Sequence, residues 1–177
     1  NDMETNSVIS QIGNTPLVRL KQASELTDCH IYGKADYFNP GESVKDRAAL
    51  FIVQDALKKK LISKGGTIVE GTAGNTGIGL AIVCKEYGLN LKIVIPKTQS
   101  IEKKETLKEL GAELIEVDAV PYADPKNYIK QSKQIAEDLN KTNSSGVYWA
   151  NQFDNIVNTE AHIQTTAEEI WSQTAGS

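Results

Sequence analysis

The sequence has few of the residues that define disulfide scaffolds, metal proteins and membrane proteins. Its 177 residues include two cysteines and two histidines, which are too few for a disulfide framework. The neighbours Cys29 and His30 have poor geometry for a shared metal, and no second ligand pair follows them. No apolar stretch reaches the ~18 residues of a membrane span. We therefore expect no metal site and no association with a membrane.

Positive charge is also scarce. Nineteen lysines and arginines face 23 aspartates and glutamates, giving a net charge of −4. Proteins that bind nucleic acid need a clustered positive surface, so this balance argues against such a partner. The run at 58–60 is best explained as the solvated end of a helix. Unpaired cysteines and the absence of a signal-peptide pattern predict a reducing compartment, and we expect the cytoplasm.

Strand-like and helix-like segments alternate along most of the chain. Each apolar run is followed by a helical pattern of about a dozen residues, and glycines at 88 and 111 end two of the helices. This order predicts an α/β fold, with a doubly wound parallel sheet covered by helices on both faces. The predicted strands are 67–70, 91–95, 113–117 and 147–149, and the predicted helices are 76–87, 101–110, 127–139 and 157–171. Upstream, residues 31–35 read as a strand and 44–62 as a helix begun by Ser43.

A glycine-rich segment lies between the first strand and helix of this series. Glycines 71, 74, 77 and 79 are mixed with two threonines and an asparagine. Glycines let backbone N–H groups converge on a ligand, and the N-terminus of a helix attracts anions. Ligands of such sheets bind beyond the carboxyl ends of the strands. The segment is thus a candidate anion site, although the glycines could instead serve only close packing of helix and strand.

Nucleotide phosphate is a poor candidate for this anion. A Walker loop needs lysine and then serine or threonine after its last glycine, whereas Gly77 is followed by Ile78. The dinucleotide fingerprint also fails, because Ile82 stands where its last glycine is needed. A small carboxylate fits the segment better.

Lys45 is the candidate nucleophile. It stands near the start of a predicted helix, where the positive end of the dipole favours a neutral amine. A neutral amine can form an imine with an aldehyde cofactor. The alternative is an ordinary surface lysine. The neighbouring Asp46 and Arg47 offer an ion pair that would anchor the segment.

Gln152 and His162 are two further polar residues that could belong to a site. Gln152 follows the strand at 147–149, where its amide can donate to a substrate carboxylate, although a loop amide often bonds its own backbone. His162 lies within a predicted helix and has no evident serine or carboxylate partner, so a structural role is favoured.

Four motifs in order resemble the pyridoxal-phosphate enzymes of the cysteine synthase and cystathionine β-synthase family, which have fold type II. The resemblance covers most of the chain and is specific, because the motifs keep the family's order. They are Gly-Asn-Thr-Pro-Leu-Val at 13–18, Asn-Pro-Gly with Ser-Val-Lys-Asp-Arg at 39–47, Thr-Ala-Gly-Asn-Thr-Gly at 72–77, and Gln-Phe-Asp-Asn at 152–155.

This resemblance implies a cofactor, pyridoxal 5'-phosphate, and a role for each matched residue. Lys45 would hold the cofactor covalently and later move the substrate's α-proton, and Asn75 would bind the cofactor's ring oxygen. The substrate carboxylate would be held by Thr72, Ala73, Gly74, Thr76 and Gln152. The implied reaction is the replacement of acetate by sulfide on O-acetylserine, giving L-cysteine. Alternatives are another β-replacing relative such as cystathionine β-synthase, or a silent module that binds a small carboxylate.

The resemblance also implies a domain arrangement and two departures from the family. Residues of about 49–150 would form a smaller, mobile α/β domain, and the full-length form would be a homodimer with a small amino-acid substrate. The family commonly has serine where this chain has Ala73. Its chains are longer, and its phosphate cup lies after the matched region, so we expect the sequence to be an N-terminal portion without the C-terminal cofactor-phosphate domain.

Overall fold

A parallel sheet of β-strands lies at the centre of the protein, and its strand order places the candidate loops along one edge. The computed structural model describes residues 7–176. In chain order the strands are β1 (Leu17–Arg19), β2 (Tyr32–Lys34), β3 (Thr67–Gly71), β4 (Asn90–Pro96), β5 (Glu113–Val117) and β6 (Val147–Trp149). The helices are α1 (Lys21–Thr27), α2 (Lys45–Lys58), α3 (Asn75–Tyr87), α4 (Ile101–Glu109), α5 (Tyr128–Asn140), α6 (Val157–Ala161) and α7 (Glu168–Thr174).

The central sheet has the order β5-β4-β3-β6, and all its neighbouring strands are parallel. β3 is buried along its whole length between β4 and β6. The glycine segment follows β3 and Gln152 follows β6, so the two lie side by side at the carboxyl edge. The strands β1 and β2 form a separate antiparallel pair.

Alternate residues of the strands face two different cores. Ile68 and Ile93 belong to the larger core, which includes side chains of α2, α3 and α4. Val69 and Val94 face the opposite side, where they pack with Ala136 of α5. Because side chains alternate along a strand, helices must cover both faces. The predicted doubly wound α/β sheet is confirmed.

Most predicted elements are present, but two long helices differ from expectation. The helix expected to run to Ile62 ends at Lys58, because Lys60 adopts a left-handed conformation with φ of 57°. The N–H of Leu61 then bonds back to the carbonyl of Ala56, at 3.0 Å. This pattern is a common helix ending. Ile62, freed from the helix, is buried in the larger core.

The second difference concerns the single helix expected at 157–171. The chain instead forms α6, a π-helical segment at His162–Ala167, and then α7. A π-helical segment of six residues inside a longer helical pattern has no separate sequence signal of its own, so the sequence pattern did not reveal it. The short helix α1 was also not predicted, because Ser24 alone of its residues is buried.

Candidate active site at the carboxyl edge of the sheet

The N-terminus of α3 is open at the point where an anion would be held. β3 ends at Gly71 and α3 begins at Asn75, with Gly74 as the residue before the helix. No side chain caps this helix start. The N–H groups of Asn75 and Thr76 have no acceptor among the described residues, whereas the N–H of Gly77 bonds to the carbonyl of Gly74 at 3.1 Å; this first turn carries the positive end of the helix dipole. The loop therefore presents free donors and positive potential to a small anion.

The glycines of this segment have different roles. A Cβ at Gly71 would lie 2.8 Å from the Cα of Ile129, and one at Gly79 would lie 3.1 Å from the carbonyl oxygen of Lys45. These glycines serve close packing, as the simpler interpretation held. A Cβ at Gly74 would meet no atom within 4 Å. Gly74 therefore faces open space, as a ligand cradle requires.

The structure brings Thr76 and Gln152 into direct contact. The hydroxyl of Thr76 donates a hydrogen bond of 2.7 Å to the side-chain oxygen of Gln152, and both residues are buried. Because that oxygen is occupied, the amide nitrogen of Gln152 is left as the donor. Among residues 7–176 that nitrogen has no hydrogen-bond partner. This geometry suits donation to a carboxylate at the loop.

The other predicted loop residues lie between these two features. The hydroxyl of Thr72 accepts the N–H of Gly74 at 3.2 Å, which fixes the shape of the turn. The methyl group of Ala73 packs against the larger core, so Ala73 offers the site its backbone and no side-chain donor. Asn75 is exposed at the helix start, where its amide is accessible to a ligand.

Lys45 is the first residue of α2, and its backbone packs against α3 near Gly79. Its N–H donates to the hydroxyl of Ser43 at 3.1 Å. The side chain is partly buried, and within the described part of the chain its ammonium group forms no hydrogen bond or ion pair. The starts of α2 and α3 thus lie together, with an unpartnered amine on one and open N–H groups on the other.

Two polar residues hold the segment that carries Lys45. The carboxylate of Asp46 accepts the N–H of Gly41 at 2.5 Å, and the amide of Asn39 donates to the carbonyl of Ser43 at 2.9 Å. The other Asp46 oxygen is buried without a partner among the described residues. Burial raises the pKa of Asp46 above its ordinary value, against the opposing effect of the Gly41 N–H.

The expected ion pair between Asp46 and Arg47 is absent from the described contacts, because Arg47 points the other way. Its guanidinium bonds to Asp36 at 2.9 Å and to Glu169 at 2.5 Å. It also donates to the hydroxyls of Thr15 and Thr165, each at 3.0 Å. The motif at 13–16 therefore belongs to a buried network that joins the N-terminal segment, α2 and the end of the chain.

Glu70 has a place in the site that sequence reasoning missed. It is 2% exposed, and its carboxylate accepts the N–H of Gly71 and the N–H of Gln152, each at 3.0 Å. Burial raises the pKa of Glu70 to about 7, although hydrogen bonds from Gln152, Gly71 and Asn151 oppose the increase. The only signal in the sequence was a charged residue at the end of an otherwise apolar strand.

His162 keeps the structural role that was favoured. Its Nδ1 lies 2.9 Å from the hydroxyl of Thr166, within the π-helical segment. Burial and the positive charge of Arg47 lower its pKa. Within the described residues there is no cluster of three metal-binding side chains. Likewise, none of the helices there is both long and apolar enough to cross a membrane.

The fold and this edge define an α/β protein in which the helix that begins at Lys45 packs against the helix that follows a glycine-rich loop. Residues 8–177 match the family described as pyridoxal-phosphate dependent enzyme. The chain belongs to that family, whose members depend on pyridoxal phosphate.

Individual relatives agree with this assignment. The chain is 55% identical over 165 residues to cysteine synthase 1 of Neurospora crassa, covering 93% of this chain and 43% of that protein. A hydrogen sulfide-producing enzyme of Fusobacterium nucleatum superposes with a TM-score of 0.78 at 40% identity, over 96% of this chain and 53% of the other. The crystal structure of O-ureido-L-serine synthase gives a TM-score of 0.83 at 38% identity, covering 97% and 51%. The chain thus spans about half the length of the relatives it matches.

Proposed function

We propose that this chain supplies Lys45 and the carboxylate cradle of a pyridoxal-phosphate dependent cysteine synthase. The cradle is the set of residues that would hold the substrate carboxylate, namely Thr72, Ala73, Gly74, Thr76 and Gln152. The reaction would make L-cysteine from O-acetylserine and sulfide. The observation that carries the proposal is the contact of Thr76 with Gln152 beside the open start of α3. The relatives named cysteine synthase support the choice of product.

The residues present fit the aldehyde end of this cofactor. Lys45 offers an amine without a partner among the described residues, and the space beside Gly74 is open. When bound, the cofactor supplies an aldehyde and an electron-withdrawing ring. Lys45 would bind that aldehyde, and Asn75 would bind the ring oxygen.

Each residue then has a task toward the amino-acid substrate. The loop of Thr72, Ala73 and Gly74, with the hydroxyl of Thr76 and the amide of Gln152, would bind and orient the carboxylate. With the carboxylate held at the start of α3, the substrate's Cα would be presented to Lys45, whose amine, released from the cofactor when the substrate amine takes its place, would take the α-proton. Loss of acetate from Cβ and addition of sulfide there complete the exchange.

The proposal extends to the assembly and motion of the protein. We propose that residues 49–150 move as a smaller domain when the carboxylate binds, in the manner of a closing lid. We propose a homodimer for the full-length form, and we expect the exposed apolar side chains at Ile156, Ile163 and Trp171 to pack against a further part of the assembled protein. The two free cysteines support a reducing, cytoplasmic location.

Absorption spectroscopy tests the role of Lys45. The chain mixed with pyridoxal phosphate is expected to show the visible band of a lysine-bound cofactor, and this band should shift when O-acetylserine is added. Lys45→Ala should remove the band. Lys58→Ala, which changes an exposed lysine at the other end of α2, is the matched control and should keep it.

The same experiment separates the alternatives. A band that survives in Lys45→Ala contradicts the role given to Lys45. A folded chain that forms no band but binds O-acetylserine is a carboxylate-binding module without catalysis. A band that responds to O-acetylserine, followed by product formation with homocysteine but not with sulfide, indicates a relative of cystathionine β-synthase.

A further inference from the structure

One buried carboxylate bonds to both loops of the proposed cradle. Glu70 stands one residue before the end of β3, and its Oε1 accepts the N–H of Gly71 at 3.0 Å. Its Oε2 accepts the N–H of Gln152, also at 3.0 Å, and the N–H of Asn151 acts to lower the pKa of the same carboxylate. The glycine loop and the loop after β6 therefore share a single anchor.

The backbone after β6 is bent to meet this anchor. Asn151 has a φ of 45°, in the left-handed region that most residues other than glycine avoid. Asparagine tolerates this conformation better than most residues. The bend lies directly before Gln152, whose N–H bonds to Glu70.

We propose that Glu70 is a positioning residue that sets the glycine loop and Gln152 at the spacing needed to hold a substrate carboxylate. It acts through the backbone of Gln152, whose side chain in turn holds the hydroxyl of Thr76. The ligand assignment rests on the proposed function, whereas the anchoring itself does not.

The ionised form of Glu70 is the one that anchors both loops. An ionised carboxylate only accepts hydrogen bonds, so both oxygens can receive backbone N–H groups. Protonation turns one oxygen into a donor that faces an N–H, which removes a bond on one side. Because the pKa of Glu70 is raised to about 7, we expect the anchoring of both loops, and with it the affinity for a carboxylate ligand, to increase as pH rises through neutrality.

Among the described residues, no charged side chain forms a hydrogen bond or an ion pair with the carboxylate of Glu70. The hydrogen bonds to the carboxylate of Glu70 come from backbone N–H groups, and burial is the largest cause of its raised pKa. None of the titratable side chains Lys45, Asp46, Arg47, Asp154 and His162 bonds to Glu70 in the described part of the chain.

Amide chemical shifts of the chain itself provide the direct test. In a pH titration by NMR, the amide signals of Gly71 and Gln152 are expected to move together, with one apparent pKa near 7. Both transitions should vanish in Glu70→Gln and persist in Thr67→Val, which changes a buried residue at the opposite end of β3. Amides that show no common transition, or that titrate at clearly different pH values, overturn the proposal even if the Glu70→Gln variant fails to fold.

Ligand binding then tests the consequence for the site. The affinity of the chain for O-acetyl-L-serine is expected to rise with pH through neutrality and to fall about tenfold in Glu70→Gln, the loss of roughly one good hydrogen bond. An unchanged affinity in that variant overturns the positioning role. If the unaltered chain binds no O-acetyl-L-serine while both amides titrate together, the proposed function fails and the anchor stands.

Discussion

The hydroxyl of Thr76 and the side-chain oxygen of Gln152 are joined by a buried hydrogen bond of 2.7 Å, although 76 positions separate them in the chain. Thr76 lies in the first turn of α3, after β3, and Gln152 follows β6, the parallel neighbour of β3. Parallel pairing aligns the carboxyl ends of both strands, which brings the two loops together. The bond is therefore a measure of whether the cradle is assembled.

Replacing Thr76 with valine tests this bond. The shape of the side chain is nearly kept, but the buried oxygen of Gln152 loses its donor. We expect the free energy of unfolding to fall by about 1–2 kcal/mol, measured by urea denaturation. Thr106→Val is the matched control, since the exposed Thr106 hydroxyl donates to a carbonyl of its own helix and should change stability by less than about 0.5 kcal/mol. Equal losses in both variants would contradict the importance of the buried contact.

The buried network around Arg47 predicts a much larger effect. Although burial opposes its ionisation, hydrogen bonds from Arg47 and Lys34 lower the pKa of Glu169 to about 2. Arg47→Met would leave the carboxylates of Asp36 and Glu169 without their guanidinium partner. Breaking a buried ion pair in this way costs about 3–5 kcal/mol of unfolding free energy, which calorimetry or urea denaturation can measure.

Lys141→Met is the control for this prediction. The pair of Lys141 with Asp138 has side chains that are 70% and 54% exposed, so its loss should leave the free energy of unfolding nearly unchanged. A loss for Arg47→Met as small as that of the control would show that the network contributes little to stability.

The parallel sheet and the loops at its carboxyl edge could be predicted from the sequence, because local residue patterns encode both. Buried parallel strands are largely apolar, as at residues 68–69 of β3 and 93–95 of β4, and helices of similar length separate them. That regularity predicts the carboxyl edge, and the glycines after Val69 and the helix start at Ser43 mark which loops lie there. Local pattern was sufficient because each of these features is encoded in a few consecutive residues.

The partners of Arg47 and Glu70 were beyond that reasoning. Arg47 bonds to Asp36 and to Glu169, which lie 11 and 122 positions away, and Glu70 bonds to a backbone 82 positions away. Such contacts depend on how whole elements pack, and no periodic pattern records them. An adjacent acid was therefore assigned to Arg47 when the true partners were distant.

The pH dependence of stability follows from Glu70. Its folded pKa, about 7, lies above the ordinary value of 4.5, so the folded state holds the proton that the unfolded state releases first. Glu70's contribution is therefore present below about pH 4.5 and is lost as pH rises through 7. Since one pKa unit corresponds to about 1.4 kcal/mol, the loss approaches about 3 kcal/mol.

Urea denaturation of the wild-type chain and of Glu70→Gln at several pH values measures this contribution. The difference between the two proteins isolates Glu70, because Asp46, whose pKa is also raised, titrates in both. We expect the wild-type chain to lose stability relative to the variant between about pH 5 and pH 8. A constant difference over that range would mean that Glu70 titrates at its ordinary pKa.

Two glycine substitutions separate packing from ligand binding in the same loop. At Gly71 a new Cβ would meet the backbone of Ile129 at 2.8 Å, so Gly71→Ala must displace α5 from β3 and should cost about 1–3 kcal/mol.

At Gly74 the added methyl meets no atom within 4 Å, and the backbone there is extended, with φ of −142°. Gly74→Ala should therefore keep the stability of the chain, measured by urea denaturation. It should nevertheless weaken the binding of O-acetyl-L-serine, measured by calorimetry, because the methyl occupies the space that the carboxylate needs. A Gly74→Ala variant that binds the ligand as tightly as the wild-type chain would place the carboxylate elsewhere.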